Sequence, residues 1–357
     1  MPLLQGYDEI VLFFDGDEPG RKAAEECAQI LPPGKVKIAR MEKYKDASDA
    51  LQANDSEAIR RAVWDAKTYR PDGIVDGKNL LELVTTPNPP HDYEYPFQGL
   101  NEKLHGVRYQ ELITITSGSG IGKSSFCRQI AAGFLDKGEK VGYLALEESN
   151  RRSALGLMSC ALGKSLHLGE HEQSELEESF RLTMEHWNLF LFDGFGSYDP
   201  ETIYSRIEYL ACGLECRIVF LDHLSILLSG LEGDERRMLD KTMTKLRSLV
   251  ERTGITLFLV SHLRRSNNDR TSHEEGGKVS LSQLRGSHSI AQLSDQVIAL
   301  ERDQQAETDK DITTIRIIKN RYSGETGFAG QIKYDLSTSR FTEHETTNSV
   351  FNPSTDF

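Results

Sequence analysis

The chain has 357 residues, a hydrophobic content of 38% and a net charge of −13 at pH 7. This length suggests about two domains with buried cores, and no apolar run approaches the roughly 18 residues of a membrane span. The acidic balance argues against nonspecific coating of nucleic acid by the whole surface but is compatible with a local basic channel. The five cysteines lack paired zinc-ligand spacing, which is typical of reduced thiols in a cytosolic protein.

Residues 1–64 predict a small α/β piece. The largely apolar residues 9–14 are typical of a buried strand, and residues 35–40 predict a second strand. We expect a helix from about Arg21 to Leu31, because a Pro-Pro-Gly sequence follows it. A piece of about sixty residues is small for an independent domain.

Residues 65–96 predict a linker. Five prolines interrupt this segment, and one short amphipathic helix is expected over about Gly77–Val84. A helix this short is marginal in water by itself. We therefore expect it to pack on its own domain or, as an oligomerisation helix, on a neighbouring subunit.

Apolar strand candidates alternate with helix candidates along residues 97–342. This pattern predicts an α/β domain with a largely parallel sheet. The strand candidates are residues 112–116, 141–146, 189–192, 217–221, 255–260, 296–300 and 312–318. Residues 343–357 are polar, contain no Lys or Arg and end in Phe357. This composition predicts a disordered tail.

The segment from Leu112 to Ser125 predicts a phosphate-binding loop between a strand and a helix. Glycines allow backbone N–H groups to approach an anion, and the helix N-terminus adds positive potential. We expect Lys123 to reach the β- and γ-phosphates of a nucleotide and Ser124 to hold Mg²⁺. The alternative is a glycine-rich turn. The expected nucleotide-binding residues are Ser117, Gly118, Ser119, Gly120, Ile121, Gly122, Lys123, Ser124 and Ser125, of which Ser117 departs from the glycine of the strict pattern.

Polar groups follow three later strand candidates, at the edge where ligands bind in open α/β sheets. Glu147 could polarise the water that attacks the γ-phosphate, or it could be a solvated capping glutamate. Asp222 ends an apolar run and is expected to hold Mg²⁺ through water, with a helix N-cap as the alternative. His262 could sense the γ-phosphate by a hydrogen bond, or it could be a histidine without a ligand.

Cations are concentrated in two places. The polar stretch from Arg264 to Gly277 is long for an α/β connection, and its arginines Arg264, Arg265 and Arg270 suit phosphate contacts to single-stranded nucleic acid. A solvated loop is the alternative. Arg321 follows a strand candidate and could act as an arginine finger on a neighbour's nucleotide, or it could be surface charge.

The ordered motifs resemble the DnaB class of replicative helicases, and most closely the bifunctional primase-helicases of T-seven-type phages. The likeness covers essentially the whole chain and rests on Ser-Gly-Ser-Gly-Ile-Gly-Lys-Ser, Leu-Glu-Glu-Ser, Leu-Asp-His, Ser-His-Leu, Leu-Arg-Gly-Ser, Gln-Leu-Ser-Asp, Leu-Glu-Arg and Lys-Asn-Arg-Tyr-Ser-Gly-Glu-Thr-Gly. It implies a RecA-like P-loop ATPase that forms a hexameric or heptameric ring. The ring would surround single-stranded DNA, hydrolyse ATP or dTTP with Mg²⁺, and move 5′ to 3′.

The resemblance also implies roles for individual residues. Lys123 and Ser124 match the Walker A pair, Glu147 the catalytic base and Asp222 the Walker B aspartate. His262 and Gln292 match residues that couple the γ-phosphate to DNA binding, and Arg302 matches an arginine that contacts the nucleotide. Arg321 matches the arginine finger that acts in trans. Tyr334 matches an aromatic residue that stacks on the base of the nucleotide. The implied DNA-binding residues are Arg264, Arg265, Arg270, Arg285, Gly286 and Ser287.

Residues 1–64 resemble the last part of a TOPRIM primase fold. Asp15 and Asp17 match its metal-binding Asp-x-Asp and would form a vestigial Mg²⁺ site, because two carboxylates alone hold Mg²⁺ weakly. The family's zinc domain and the essential TOPRIM glutamate precede the region of likeness, so we expect no primer synthesis by this chain.

The tail resembles an acidic tail that docks onto a phage replicative DNA polymerase through a terminal phenylalanine, here Phe357. Only Glu343, Glu345 and Asp356 are acidic after Arg340, which would weaken the electrostatic part of that contact. The expected location is the host cell cytoplasm, with no membrane partner.

Two other functions remain open. A RecA-type recombination ATPase would share the nucleotide site, but the TOPRIM remnant and the linker favour the helicase. A nucleotide-binding scaffold that hydrolyses little would not need Glu147, Asp222 and Arg321 together.

Overall fold

The computed structural model describes residue 4 and residues 6–41, 43–70, 76–86, 92–194, 199–229, 235–263, 272–284 and 288–344. The chain divides into two compact units, Met1–Asn88 and Pro89–Phe357. The first unit contains a sheet of three strands and the second a sheet of nine. Within the described ranges, no helix is both long and apolar enough to cross a membrane.

The sheet of the first unit mixes parallel and antiparallel pairing. Strand β1 (Ile10–Leu12) lies parallel to β2 (Val36–Ile38), and β2 lies antiparallel to β3 (Lys67–Thr68). The sheet therefore includes residues beyond position 64, where the sequence predicts the end of this piece. Its small apolar core contains Ile10, Ala28, Leu31 and Val36.

Helix α1 (Glu18–Ile30) begins three residues before its predicted start. The side chain of Asp17 accepts a hydrogen bond from the backbone N–H of Gly20 at 2.9 Å, and Pro19 occupies the first turn. Both features favour a helix start at this point. Two short helices, α2 (Ala47–Gln52) and α3 (Ser56–Trp64), complete this part of the unit.

The predicted linker helix is divided into two short pieces. Residues Gly77–Asn79 form a 3₁₀ turn, and α4 spans Leu81–Thr85. The side chain of Asp76 accepts a hydrogen bond from the backbone N–H of Lys78, which fixes the 3₁₀ turn. Two apolar residues of α4, Leu81 and Val84, are 72% and 76% exposed.

The second unit is built on a sheet that is parallel through most of its width. The strands are β4 (Leu112–Ser117), β5 (Lys140–Ala145), β6 (Asn188–Leu191), β7 (Ile218–Asp222), β8 (Thr256–His262), β9 (Gln296–Glu301), β10 (Ile312–Asn320), β11 (Gly327–Asp335) and β12 (Arg340–His344). Their order across the sheet is β12-β11-β10-β9-β4-β8-β7-β5-β6. The six strands from β9 to β6 pair in parallel, whereas β10, β11 and β12 pair antiparallel. The predicted α/β fold with a largely parallel sheet is confirmed.

Helices cover both faces of this sheet. They are α5 (Gln98–Leu104), α6 (Lys123–Asp136), α7 (Asn150–Leu162), α8 (Gln173–Leu182), α9 (Pro200–Glu208), α10 (Leu224–Ser229), α11 (Glu235–Thr253) and α12 (His288–Leu293). Successive strand residues face opposite sides, so Phe258 joins a core cluster with Phe126 of α6, and Leu257 joins another with Leu246 of α11. The carboxyl ends of β4, β5, β7 and β8 therefore meet at one edge, between the two helical layers.

The sequence did not predict β11 and β12. Strand β11 contains Gly327 and Gly330, both with positive φ, and the one buried residue of β12 is Phe341. Such composition is unfavourable for a strand by itself. Pairing of β11 with β10 and β12 supplies the stability that the local sequence lacks.

Candidate nucleotide-binding and DNA-binding site

The loop between β4 and α6 folds around the side chain of Lys123. Its Nζ donates hydrogen bonds to the backbone oxygens of Ser117 and Gly118, at 3.2 and 3.0 Å, and lies 3.2 Å from Ser117 Oγ. Gly120 and Gly122 have φ values of +71° and +108°, which glycine adopts without strain. The backbone of Ser117 is not left-handed, so the loop accepts serine here and gains an additional oxygen beside the ammonium.

Two opposite charges are buried next to this loop. Lys123 and Asp222 are each 7% exposed. Burial lowers the pKa of Lys123, and the negative charge of Asp222 opposes that effect. Burial raises the pKa of Asp222, while its hydrogen bond with Ser124 opposes that shift. The oxygens of Ser124 and Asp222 are hard donors of the kind that Mg²⁺ prefers, so these two side chains fit a magnesium ion.

The two glutamates that follow β5 have different surroundings. Glu148 is largely buried, where it pairs with Arg128 and accepts a 2.7 Å hydrogen bond from Ser153 Oγ. Glu147 is 59% exposed, and its Oε1 lies 2.6 Å from Nε2 of His223. Glu148 is therefore occupied by structural contacts, whereas the carboxylate of Glu147 is accessible at the edge where β4 and β7 also end.

Two histidines lie beside Glu147. The rings of His223 and His262 meet edge to face, with 4.2 Å between their centres. The potential ligand atoms of Glu147, His223 and His262 all lie within 4.8 Å of one another. The sequence predicts His262 as a site residue but assigns no role to His223, although the Leu-Asp-His motif contains it.

Three side chains from later parts of the chain contact the phosphate-binding loop. Glu274 Oε1 accepts a 3.1 Å hydrogen bond from the backbone N–H of Ser119, which lowers the pKa of Glu274. Gln304 donates to the carbonyl oxygen of Ser119 at 2.8 Å, and Arg302 donates to that of Gly120 at 2.9 Å. The sequence predicts Arg302 among the nucleotide-linked residues but does not predict Glu274 or Gln304, because neither belongs to a motif.

Arg321 is half exposed and has partners within its own chain. Its guanidinium donates to Oδ1 of the buried Asp295 at 2.9 Å and to the carbonyl oxygen of Gln292 at 3.1 Å. Lys319 also donates to that carbonyl oxygen, at 2.9 Å. Two cations, Lys319 of β10 and Arg321 just after this strand, therefore contact the end of α12, where the side chain of Gln292 is exposed.

Tyr334 is half-buried and packs against Phe341, a residue close to the phosphate-binding loop. Its ring packs against that of Phe341, with 4.9 Å between the ring centres. A Cβ atom added at Gly122 would lie 3.2 Å from the ring of Phe341. The tyrosine predicted to stack on a base is thus connected to the phosphate-binding loop through one intervening ring.

Comparison with known proteins identifies the family. The family model described as the DnaB-like helicase C-terminal domain matches residues 94–343, which is most of the chain. The chain belongs to this family. A Toprim-like model matches residues 1–51, at the start of the first unit.

Relatives of this DnaB-like chain agree with that assignment. The DNA helicase/primase of Enterobacteria phage T3 is 36% identical over 344 residues, which cover 93% of this chain and 60% of that protein. A probable replicative DNA helicase of Trieres chinensis is 26% identical over 262 residues, which cover 70% of this chain and 56% of that protein. The chain therefore spans between half and two thirds of the length of these relatives.

Solved structures share the fold of the DnaB-like chain. A DnaB-like replicative helicase, solved in a study of its interactions with primase, superposes with a TM-score of 0.62 at 17% identity and covers 84% of this chain and 74% of its own. A KaiC-like protein of the archaeon Pyrococcus horikoshii superposes with a TM-score of 0.52 at 15% identity. The match covers 72% of this chain and 100% of the KaiC-like chain. The RecA-like ATPase fold implied by the motifs is confirmed.

The predicted DNA-binding residues of the DnaB-like unit lie outside the described residues. They are Arg264, Arg265, Arg270, Arg285, Gly286 and Ser287. The residues that immediately precede the two groups, Leu263 and Leu284, form an isolated antiparallel bridge. The bridge pairs Leu263, which follows the strand end that carries His262, with Leu284.

The two aspartates predicted to form a vestigial Mg²⁺ site in the Toprim-like unit, Asp15 and Asp17, have different surroundings. Asp17 caps α1 and lies 3.2 Å from Nζ of Lys45, and these contacts lower its pKa. Asp15 is exposed. Within the described ranges, the group of Glu147, His223 and His262 is the one cluster of three potential metal ligands, and it lies in the other unit. Phe357 is outside the described residues.

Proposed function

We propose that this chain is the motor of a replicative ring helicase, which couples nucleoside triphosphate hydrolysis to 5′-to-3′ translocation on single-stranded DNA and to duplex unwinding. One observation carries the proposal. The phosphate-binding loop, the buried Asp222 and the accessible Glu147 follow the carboxyl ends of β4, β7 and β5, which lie in the parallel part of one sheet. This is the arrangement that phosphoryl transfer to water requires.

Nucleotide binding uses the loop and the start of α6. Lys123 and the backbone N–H groups of the loop would contact the phosphates, and the helix N-terminus would add positive potential. Ser124 and Asp222 would hold Mg²⁺, which supplies positive charge to the phosphates when bound. Arg302, with its guanidinium on Gly120, contributes a further cation. The substrate is ATP or dTTP.

Hydrolysis needs a group that orients and deprotonates water. Glu147 is suited to this role because its carboxylate is accessible, whereas Glu148 is held by Arg128 and Ser153. Arg321 would stabilise the negative charge that develops on a neighbouring subunit's nucleotide. The guanidinium of Arg321 is half exposed, so a neighbouring subunit can approach it.

Coupling to DNA follows from the bridge between Leu263 and Leu284. The arginine-rich segment starts directly after this bridge, close in sequence to His262 at the end of β8. A change at the γ-phosphate that moves His262 would therefore act on the start of the segment that contacts DNA. In a chain with a net charge of −13, such a local basic lining would attract the DNA backbone to one channel.

Assembly into a hexamer or heptamer would use α4. Its residues Leu81 and Val84 are largely exposed, and two exposed apolar residues on a five-residue helix are stabilised by burial against another surface. A neighbouring subunit offers that surface. The ring would surround single-stranded DNA as it moves in the host cell cytoplasm.

Primer synthesis by this chain is not part of the proposal. The pairing of Asp17 with Lys45 and the exposure of Asp15 support a vestigial role for these aspartates. Contact with a replicative DNA polymerase is assigned to Phe357, because an aromatic side chain on a polar segment suits a partner's pocket.

A directional displacement assay tests the motor. Single-stranded DNA carrying a streptavidin block at either the 3′ or the 5′ end is incubated with the chain, Mg²⁺ and ATP or dTTP. We expect hydrolysis to increase with DNA and the 3′ block to be released faster. Faster release of the 5′ block would contradict the proposed direction, and hydrolysis without release of either block would contradict translocation.

A further inference from the structure

His223 lies between two residues of the proposed hydrolysis site and has no role in the account above. It directly follows Asp222 and is 5% exposed. Its Nε2 lies 2.6 Å from Oε1 of Glu147, a close polar contact that does not have the geometry of a hydrogen bond. On its other side, its ring meets that of His262 at 4.2 Å, with 87° between the ring planes.

Glu147 needs a partner of this kind. Its side chain is 59% exposed, and a glutamate in that environment loses rotamer entropy when it is held in one orientation. A general base acts only within hydrogen-bonding reach of its water. A contact with a buried ring reduces the number of orientations that the Glu147 side chain adopts before the nucleotide binds, because the ring is already fixed by the protein.

The ring of His223 is itself fixed by its surroundings. Strand β7 ends at Asp222, so the backbone of His223 continues directly from the sheet, and the edge-to-face contact with His262 restricts rotation of the ring. Three side chains therefore form one line of contacts, from His262 through His223 to Glu147. The first belongs to the end of β8, and the last to the segment after β5.

We propose that His223 is a positioning residue that holds the carboxylate of Glu147 in its working orientation and connects it to His262. This proposal rests on the proposed function, because Glu147 must be the base. It assigns no direct contact with the nucleotide to His223. Loss of the contact should therefore lower the rate of hydrolysis and leave nucleotide binding unchanged.

Two substitutions separate the polar contact from the volume of the ring. His223→Phe keeps a ring of similar size but removes Nε2. His223→Gln removes the ring but offers an amide N–H that reaches about as far as Nε2. The full chain with each substitution is assayed for kcat and KM of DNA-stimulated hydrolysis, and for Kd of a non-hydrolysable nucleotide analogue with Mg²⁺.

We expect His223→Phe to lower kcat by about 10- to 100-fold, by analogy with the loss of a side chain that orients a metal ligand. We expect His223→Gln to recover at least part of that loss, with KM and Kd for both variants near those of the unchanged chain. His171→Phe is the matched control, since His171 pairs with Glu175 at 3.2 Å elsewhere in the same unit.

Three results would overturn the proposal. A kcat within twofold of the unchanged chain for His223→Phe would mean that the contact does not matter. Equal loss in both variants would mean that the polar contact is not the cause. Loss of analogue binding in both would place His223 in the nucleotide pocket. An unchanged chain that hydrolyses no nucleotide would instead remove the proposed function, and this positioning role with it.

Discussion

The ammonium of Lys123 is buried among oxygens of its own loop, and this burial makes its charge hard to replace. Water cannot easily substitute for it there, so phosphate charge would remain uncompensated without it. We expect Lys123→Ala to reduce hydrolysis by at least about 100-fold, measured as nucleotide turnover with single-stranded DNA present.

Lys137→Ala is the matched control, because Lys137 is an exposed lysine at the other end of α6. It should turn over nucleotide at the rate of the unchanged chain. Normal turnover by Lys123→Ala would show that the loop after β4 does not bind the reacting phosphates.

Adjacent glutamates with different surroundings give a second test. Glu147→Gln should lower kcat by about 100- to 10,000-fold, since an amide is a poor base, and leave the thermal midpoint unchanged. Glu148→Ala leaves the buried Arg128 without its partner, so it should lower the free energy of unfolding by about 3–5 kcal/mol. Turnover and thermal unfolding are measured on both variants, and an exchange of the two phenotypes would reverse the assignment.

At the scale of single residues, the position of a side chain was predictable where one strand end decides it. Lys123, Glu147, Asp222 and His262 all follow apolar runs, and parallel strands end at a common edge. The contact of Glu274 with Ser119 joins residues 155 positions apart, and no local pattern signals it. Such contacts depend on how connecting segments cross the edge of the sheet, which hydrophobic periodicity does not describe.

Among the elements, those with buried apolar sequences were the most predictable. Strands β4, β7 and β8 were located within one or two residues, because their runs are continuous and β-branched or aromatic. Strands β11 and β12 were missed since they are polar and depend on antiparallel neighbours. The predicted helix over Gly77–Val84 became a 3₁₀ turn and a shorter helix, because Asp76 caps the turn.

The connection after β8 is the element assigned to DNA. Replacing Arg264, Arg265 and Arg270 with Ala should weaken binding to single-stranded DNA and flatten its salt dependence. Each lost phosphate contact lowers the slope of log K against log salt by about 0.7, so the triple variant should lose about 2. The slope is measured by fluorescence anisotropy over a range of salt concentrations.

Two exposed arginines on α3 provide the control for charge alone. The double variant Arg60→Ala, Arg61→Ala should keep the slope of the unchanged chain. If the triple variant also keeps that slope, the connection after β8 faces solvent and another surface binds the DNA backbone.

At the scale of the whole molecule, the account requires that subunits complete one another's sites. Arg321→Ala should lower turnover by as much as about 1,000-fold if the guanidinium acts on a neighbour. The fold should persist, because Asp295 keeps Arg247 and the backbone N–H of Leu112 as partners. Arg321→Lys should restore little, since an ammonium lacks the planar fork.

Mixed rings decide whether the arginine acts in trans. Arg321→Ala subunits are combined with Glu147→Gln subunits, each inactive alone, and assembly of mixed rings is verified by native mass spectrometry. Some interfaces then bring an intact Glu147 to an intact Arg321, so turnover should return in part. Arg321→Ala subunits with full activity by themselves would remove the finger assignment.

The central claim is that nucleotide hydrolysis by this chain separates DNA strands, and unwinding of a forked duplex with a 5′ single-stranded arm tests it most directly. With Mg²⁺ and ATP or dTTP, the unchanged chain should release the strand, whereas the Lys123→Ala variant should leave the duplex intact. A recombination ATPase would exchange homologous strands instead, and a scaffold would hydrolyse little. Assembled rings that hydrolyse nucleotide on this fork and leave the duplex intact would contradict the account.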